Sequence, residues 1–536
     1  MTDLNLSMFR AYDIRTTSAA LTDALALRLA RAEAVYFREV LGVDGVLVAH
    51  DARSTGPRYL QLAAGAYLQA GLDVVVIPGV CSTSEFYFAA MRRPELAAVM
   101  FGASHNPAGD TGQKILGPGV KPIAEHIGPE GGLDKIQELY VAGAGGGEGS
   151  GVRSEGQGSG LRVQGPRQSD RSDRSDRSDR SDRPDRPAAA RTSGCVGRVT
   201  AYDPTEEYIA YSMDLAGVEA GSLRGLKVFH DYLNGAAGRE MMLAFGRAAD
   251  GRFPLGDPNL VKSAVIAEGL TALKSGDFVL GTFFDGDGDR IDFYRGDGTY
   301  LSSSFVYAAV LPAIRKRFSG AGLGIYADLK SNPLAVMEMA KTGVTVNVIR
   351  NGHSQIKNAL FENVAMFGTV EESAHFYESF LLDGGRFCTE NTLYIALLVS
   401  KAWQDDPARF EALFELQSRT AREREWGYKF PSDEKRAEAL EAVQAHFEGL
   451  GAEAMTRMPN GYELEATMMR RGIPLVIGSE AHLAGDWLQV CHRISQSENG
   501  LARWEVVAAD AAIARQAKRE IAGIVKRFGA GEEYQG

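Results

Sequence analysis

Three aspartates, Asp285, Asp287 and Asp289, stand at alternate positions in FVLGTFFDGDGDRIDF, straight after an apolar run. Alternate carboxylates on an extended turn aim several oxygens at one point, which suits a hard cation such as Mg²⁺ or Ca²⁺. An EF-hand counted from Asp285 needs glycine at the sixth position and an acid at the twelfth, where this chain has Arg290 and Gly296. Calcium-sensor chemistry is therefore excluded. Three readings remain: a metal site, a solvated turn shaped by Gly286 and Gly288, or a metal-dependent phosphatase with Asp285 as nucleophile. Another nucleophile stands in AVMFGASHNPAGDTGQKILG (98–117), where Ser104 follows an apolar run. His105 is next to it, and the surrounding glycines and Pro107 make a loop whose backbone can approach an anion.

These loops need frames to hold them. GVLVAHD (45–51) reads as a strand, PRYLQLAAGAYLQAG (57–71) as a helix closed by Gly71, and DVVVIPG (73–79) as the next strand. This βαβ order predicts a mostly parallel sheet. The design recurs in LKVFHDYLNGAAG (226–238), in the strand before the aspartates, and in LGIYADLKSNPLAVMEMAK (323–341) leading to VTVNVIRNG (344–352). A chain of 536 residues has room for several such units. Its net charge of −11 argues against nucleic acid or an anionic membrane as partner, whereas small phosphorylated ligands need only a local cationic pocket. Cys81, Cys195, Cys388 and Cys491 lack the spacing of a zinc site or a disulfide framework. No leader or membrane span is read from the sequence, and a cytoplasmic protein is expected. Residues 142–198 are Gly-rich and then carry repeated Ser-Asp-Arg triplets; such a tract cannot offset its ordering entropy and reads as a disordered insert in a surface loop.

ASHNP together with DGDGDR resembles the α-D-phosphohexomutase family, the phosphomannomutases and phosphoglucomutases. Four further stretches follow the family's order: FRAYDIR (9–15), NGHSQIK (351–357), VEESAHF (370–376) and RISQSEN (493–499). The resemblance implies four domains in a heart shape, three similar α/β units and a smaller TBP-like α+β domain, all contributing loops to one cleft. The expected boundaries are 1–141 for the phosphoserine loop, 199–300 for the metal loop, 301–410 for the sugar loop and 411–536 for the phosphate loop. On this resemblance Ser104 is the phosphoserine, and Mg²⁺ is held by Asp285, Asp287, Asp289 and the phosphorylated Ser104. Arg15, His105, Lys114 and Arg290 complete the catalytic set, with Lys114 a candidate for proton transfer. Tyr12, Lys330 and His353 contact ligand, Glu371, Ser373 and His375 read the sugar, and Arg493, Ser495 and Ser497 bind the non-transferring phosphate.

The implied activity interconverts hexose 1-phosphate and hexose 6-phosphate, of mannose or glucose, with a hexose 1,6-bisphosphate as intermediate and activator. A monomer or homodimer is expected. A silent sugar-phosphate binder is a further alternative, because some loops depart from the family pattern. Val370 and Ala374 replace the two glycines of GExSGH, Asn499 replaces a proline and Thr16 a glycine. Without the two glycines the backbone of the sugar loop is less free to take unusual dihedrals, which bears on substrate preference.

Overall fold

The Val-rich run Gly45–His50 is buried on both faces, the signature of a central strand with neighbours on either side. It is β2 of the first sheet, whose other strands are β1 (Ile14–Thr17), β3 (Asp73–Val80), β4 (Ala97–Phe101), β5 (Asp110–Gly117), β6 (Lys121–Ile123) and β7 (Val199–Ala201), in the order β1-β5-β4-β2-β3-β7 with β6 on β5. The helix between β2 and β3, Gly56–Gln69, has Pro57 in its first turn, and Gly71 turns the chain at φ 84°. The second sheet contains β8 (Val228–Asp231), β9 (Leu280–Phe284), β10 (Ile291–Arg295) and β11 (Tyr300–Leu301). In the third, β12 (Gly324–Asp328), β13 (Thr345–Ile349), β14 (Met366–Glu371), β15 (His375–Leu382) and β16 (Gly385–Glu390) run in the order β13-β12-β14-β15-β16.

The fourth sheet is antiparallel throughout, in the order β18-β19-β20-β21-β17-β22: β17 (Ala421–Lys429), β18 (Glu453–Arg457), β19 (Glu463–Arg471), β20 (Leu488–Ile494), β21 (Leu501–Ala508) and β22 (Glu533–Gln535). Helices Asp433–Gly449 and Ala511–Lys526 share a core with it, joining Val443 and Ile521 to Val490 and Trp504. The computed structural model describes residues 4–143, 196–245, 258–260, 262–320, 322–458, 461–495 and 500–535. Nearly all of the expected insert, with Cys195, lies outside the described residues, as does Ser497. Val199–Ala201, at the start of the stretch expected as the second domain, pairs in parallel with β3 at the edge of the first sheet. Cys81, Cys388 and Cys491 are free and buried. No helix among the described residues is long and apolar enough to cross a membrane.

The expectation of mostly parallel sheets needs correction. β2 pairs in parallel with β3 and β4, β8 with β9, and β12 with β13 and β14, but each of these sheets continues through antiparallel hairpins. β4–β5, β9–β10 and β14–β15 are all antiparallel. Their connections, residues 102–109, 285–290 and 372–374, are too short to hold a crossover helix and can only reverse the chain. These three hairpin tips carry Ser104, the aspartates and Ser373.

Candidate active site

The tip between β4 and β5 presents Ser104, buried and held at φ 48°, a left-handed conformation uncommon outside glycine. Its Oγ donates to Asp285 Oδ2 at 2.9 Å, joining the first hairpin tip to the second. What fixes this loop was not visible in the motif. The buried Arg53 guanidinium donates to the carbonyls of Ser104 (2.8 Å), Asn106 (2.7 Å), Pro107 (2.6 Å) and Asp110 (3.0 Å). Asp51 holds Arg53 in turn at 3.2 Å and accepts from the Ala103 N–H. Arg15 reaches the same loop from β1, donating to Asn106 Oδ1 at 2.6 Å and pairing with Asp13 at 2.8 Å.

The second tip is clamped by two other parts of the chain. Thr83, at the start of the helix Thr83–Met91, donates its N–H to the Asp287 carbonyl at 2.8 Å and its hydroxyl to Asp287 Oδ2 at 2.7 Å. Thr392, opening the helix Thr392–Asp405, donates to the Gly288 carbonyl at 2.7 Å. Gly288 has φ 71°, and a Cβ there would lie 2.8 Å from that of Ala237, so the close approach requires glycine. Lys114 Nζ lies between Asp287 Oδ2 (2.7 Å) and Asp289 Oδ2 (2.5 Å). Burial alone would depress its ammonium, but Asp287 and Asp289 hold its pKa well above the usual value. Burial would likewise raise Asp289, yet Lys114 keeps that carboxyl well below the ordinary range; burial and its two acidic neighbours push Asp285 well above it.

Asp285, Asp287 and Asp289 each bring an oxygen close enough to share one ion. Asp287 Oδ1 and Asp289 Oδ1 are buried with no hydrogen-bond partner among the described residues, oxygens that a hard cation would satisfy. The donor set thus fits Mg²⁺.

In front of this triad opens a cleft of about 960 Å³, including its open mouth. Ten of the expected site residues line it: Tyr12, Arg15, His105, Arg290, Lys330, His353, Glu371, Ser373, His375 and Arg493. Ser104, Lys114 and the aspartates are buried beside it, reached through His105 and through Arg290, whose N–H donates to Asp285 Oδ1 at 3.2 Å. Ser495 is buried and is not among the lining residues. Glu371 accepts from Asn351 and from the Tyr377 hydroxyl, each at 3.0 Å, while His375 Nδ1 lies 2.6 Å from Glu390 Oε2. Burial, reinforced by Lys357, brings His353 down to about 4, so its ring is neutral at pH 7.

Sequence reasoning missed the cleft's remaining charges. Arg422 and Arg424, two apart on β17, face the cleft, and a bulge between Glu423 and Trp426 turns Glu425 toward it as well. Glu425 gathers Arg503 (2.6 Å), Arg493 (3.2 Å) and Lys330 (3.5 Å). Burial is outweighed there by Arg493 and its neighbours, which keep the Glu425 carboxyl well below the usual range. The alternating charges of AREREW were the available signal. Cations outnumber acids around the cleft although the whole chain is acidic. The arrangement can hold a hard cation against a hydroxyl and seat an anionic ligand before both.

The alanine at the tip between β14 and β15 carries a conformational cost. Ala374 takes φ 74° at the end of a three-residue hairpin loop, the position where glycine is favoured. A left-handed alanine costs about 1–2 kcal/mol, and glycine returns up to about 1 kcal/mol of that through unfolded-chain entropy. Ala374→Gly is expected to raise the thermal unfolding midpoint by up to about 2 °C in calorimetry. A lower midpoint would contradict this account of the loop.

Residues 6–128 match the family described as phosphoglucomutase/phosphomannomutase, alpha/beta/alpha domain I. A phosphomannomutase of Salmonella montevideo is 26% identical over 470 residues, 83% of this chain and 87% of the relative. A phosphoglucomutase of Neisseria gonorrhoeae is 26% identical over 379 residues, 70% of this chain and 71% of the relative. A solved phosphoglucomutase/phosphomannomutase family protein from Burkholderia thailandensis covers 100% of both chains with a TM-score of 0.67 at 20% identity, a likeness of fold. The fold is thus that of a multi-domain α/β protein of the phosphoglucomutase/phosphomannomutase type. The match over residues 6–128 and these relatives support the α-D-phosphohexomutase family.

Proposed function

We propose that this chain is a Mg²⁺-dependent phosphohexomutase that interconverts the 1- and 6-phosphates of mannose or glucose through a phosphorylated Ser104. The supporting observation is the contact of Ser104 Oγ with Asp285 Oδ2 at 2.9 Å beside a guanidinium-lined cleft. Mg²⁺ held by Asp285, Asp287, Asp289 and a phosphoserine oxygen would supply Lewis-acid polarisation of the transferring group.

The protein's part is positioning and charge neutralisation. A sugar hydroxyl attacks phosphorus; its new P–O bond forms as the bond to Ser104 Oγ breaks, the hydroxyl loses its proton and Oγ gains one, and the Lys114 ammonium is the candidate to relay it, giving a proton to Oγ and taking the hydroxyl's in return. Arg15, His105 and Arg290 border the reacting phosphoryl group. The resulting hexose 1,6-bisphosphate reverses in the cleft and returns its other phosphoryl group to Ser104, so the same compound added from outside activates the enzyme. Glu371 and Ser373 receive ring hydroxyls, His375 stands behind them, and Tyr12, Lys330 and His353 line the ligand's path. Arg493, Ser495 and Ser497 take the distal phosphate. A cytoplasmic enzyme working as monomer or homodimer, without nucleic acid or membrane partners, completes the reading.

Asp285 is poorly placed to be a phosphatase nucleophile, because its oxygens accept from Ser104 Oγ and the Arg290 N–H. The deciding assay offers mannose 1-phosphate, glucose 1-phosphate and glucosamine 1-phosphate, each with its bisphosphate and Mg²⁺. Production of the 6-phosphate from mannose or glucose supports the proposal, and release of inorganic phosphate without isomerisation refutes it. Metal binding is checked apart from turnover. Mg²⁺ at a hundred times its Kd is expected to stabilise the protein by about 2.7 kcal/mol, read as a rise in Tm that EDTA reverses and Asp287→Asn abolishes.

A further inference from the structure

A second cavity, of about 780 Å³ including its mouth, lies between the third and fourth sheets. Val336, Val348, Met458, Leu475 and Ile477 give it apolar walls, and Arg470 lines it as well. Side chains alternate along β19, so Met468 and Arg470 share the face turned to the third sheet while Met469 joins the helix-backed core behind. Arg470 is only 5% exposed. Its Nε donates to Gln489 Oε1 at 2.8 Å and its Nη1 weakly to the Leu475 carbonyl at 3.4 Å. Its Nη2 has no acceptor, and no carboxylate lies within 4.0 Å of the guanidinium, among the described residues. Asp328, also on the wall, already accepts from the Lys330 N–H, Ser331, Asn351 and the Glu372 N–H.

A buried guanidinium without a counter-charge is costly, and other buried arginines here are paired: Arg53 with Asp51, Arg422 with Glu372 and Glu505. Burial lowers the Arg470 pKa to about 10, the direction expected for a cation with no acid beside it.

We propose that this cavity is a binding site for a small monocarboxylate with an aliphatic body, its carboxylate paired with the Arg470 guanidinium. One guanidinium neutralises one unit charge and matches a carboxylate's two oxygens as a fork. A phosphate dianion would leave a buried charge uncompensated. The walls of valine, leucine, isoleucine and methionine favour an alkyl chain, worth about fourfold in affinity per buried methylene. The site is wired to the cleft: Gln489 Nε2 donates to the carbonyls of Leu329 and Ser331, each at 3.2 Å, which flank the cleft-lining Lys330. An anion drawing on Arg470 therefore acts on the strand end that carries Lys330.

The test is calorimetric titration of the full chain with butanoate, hexanoate, octanoate, hexanamide and hexyl phosphate, repeated on Arg470→Met and Val476→Glu. Val476 lines the cavity and is 68% exposed, so the second variant adds an acid at the rim without disturbing the core. Saturable binding of one hexanoate per chain is expected, tighter with chain length, and at least tenfold weaker for hexanamide and for both variants. Absence of saturable binding by any carboxylate overturns the proposal, as does binding that Val476→Glu leaves unchanged or hexyl phosphate binding tighter than hexanoate. Should Arg470→Met not fold, Val476→Glu and the hexanamide comparison decide alone.

Discussion

Ser104→Ala is expected to lower mutase turnover by about 10⁴-fold or more while the protein stays folded. Loss of a covalent nucleophile typically has an effect of this order, because the surrounding binding groups retain only a small part of the acceleration. Structurally the change is mild. It removes the hydrogen bond from Oγ to Asp285 Oδ2, worth about 1 kcal/mol, and a longer contact with His105 Nδ1 at 3.4 Å, and leaves alanine at the same φ of 48°. The backbone bonds from Arg53 to the loop do not involve the serine hydroxyl. Two measurements belong together: the coupled turnover assay, and transfer of labelled phosphate from hexose 1,6-bisphosphate to the protein. The label is expected on Ser104 in the parent and nowhere in the variant. Full turnover of Ser104→Ala with label on Asp285 would instead establish the phosphatase-like nucleophile.

Arg53→Met is expected to cost about 3–5 kcal/mol of stability and at least about 10²-fold in kcat. The stability loss follows from burial: the Arg53 and Asp51 side chains are 1% and 0% exposed, so methionine leaves a carboxylate without its counter-charge. The kinetic loss follows from geometry. Four loop carbonyls converge on this guanidinium, and a displacement of about 1 Å at the nucleophile is enough for a hundredfold effect. Arg53 touches no ligand on this account and acts only through the loop. KM for the hexose phosphate should therefore change little while kcat falls. Arg53→Lys separates its two roles, since lysine restores the charge beside Asp51 but cannot reach four carbonyls from one plane. It should recover much of the stability and little of the turnover. Equal recovery of both would show that charge, not the fork, sets the loop.

The two variants probe hairpin tips that meet in space across a long separation in sequence. Ser104 and Asp285 come from different sheets, yet one hydrogen bond links them, and Thr83 and Thr392 tie the aspartate tip to the first and third sheets. The buried core is continuous across these parts, joining Leu47 to Phe284 and Leu397. Such packing lets a loop of alternate aspartates and glycines stay ordered while crowding three carboxylates together.

From the sequence alone, the local chemistry and the local elements were legible. Alternation of aspartates gave the converging carboxylates, the six stretches gave the family resemblance, and the apolar runs gave β2, β3, β9, β12 and the helices between several of them, because each depends on residues close along the chain. The antiparallel hairpins were not legible, since a short apolar run has the same appearance whichever way its neighbour runs. Nor were the partners that hold the site. Arg53 lies far in sequence from the loop it fixes, and Glu425 reaches the cleft only because a bulge turns it there. Arg470 reads as one more charge on a strand until the third sheet covers it. Ala374 shows the remaining difference: sequence marked it as a misfit for a glycine position, whereas the folded hairpin kept the left-handed turn, because the paired strands on either side leave the chain no other way to close. Which residues can do chemistry was written in short-range pattern; which of them meet, and what holds them together, was decided by packing between distant segments.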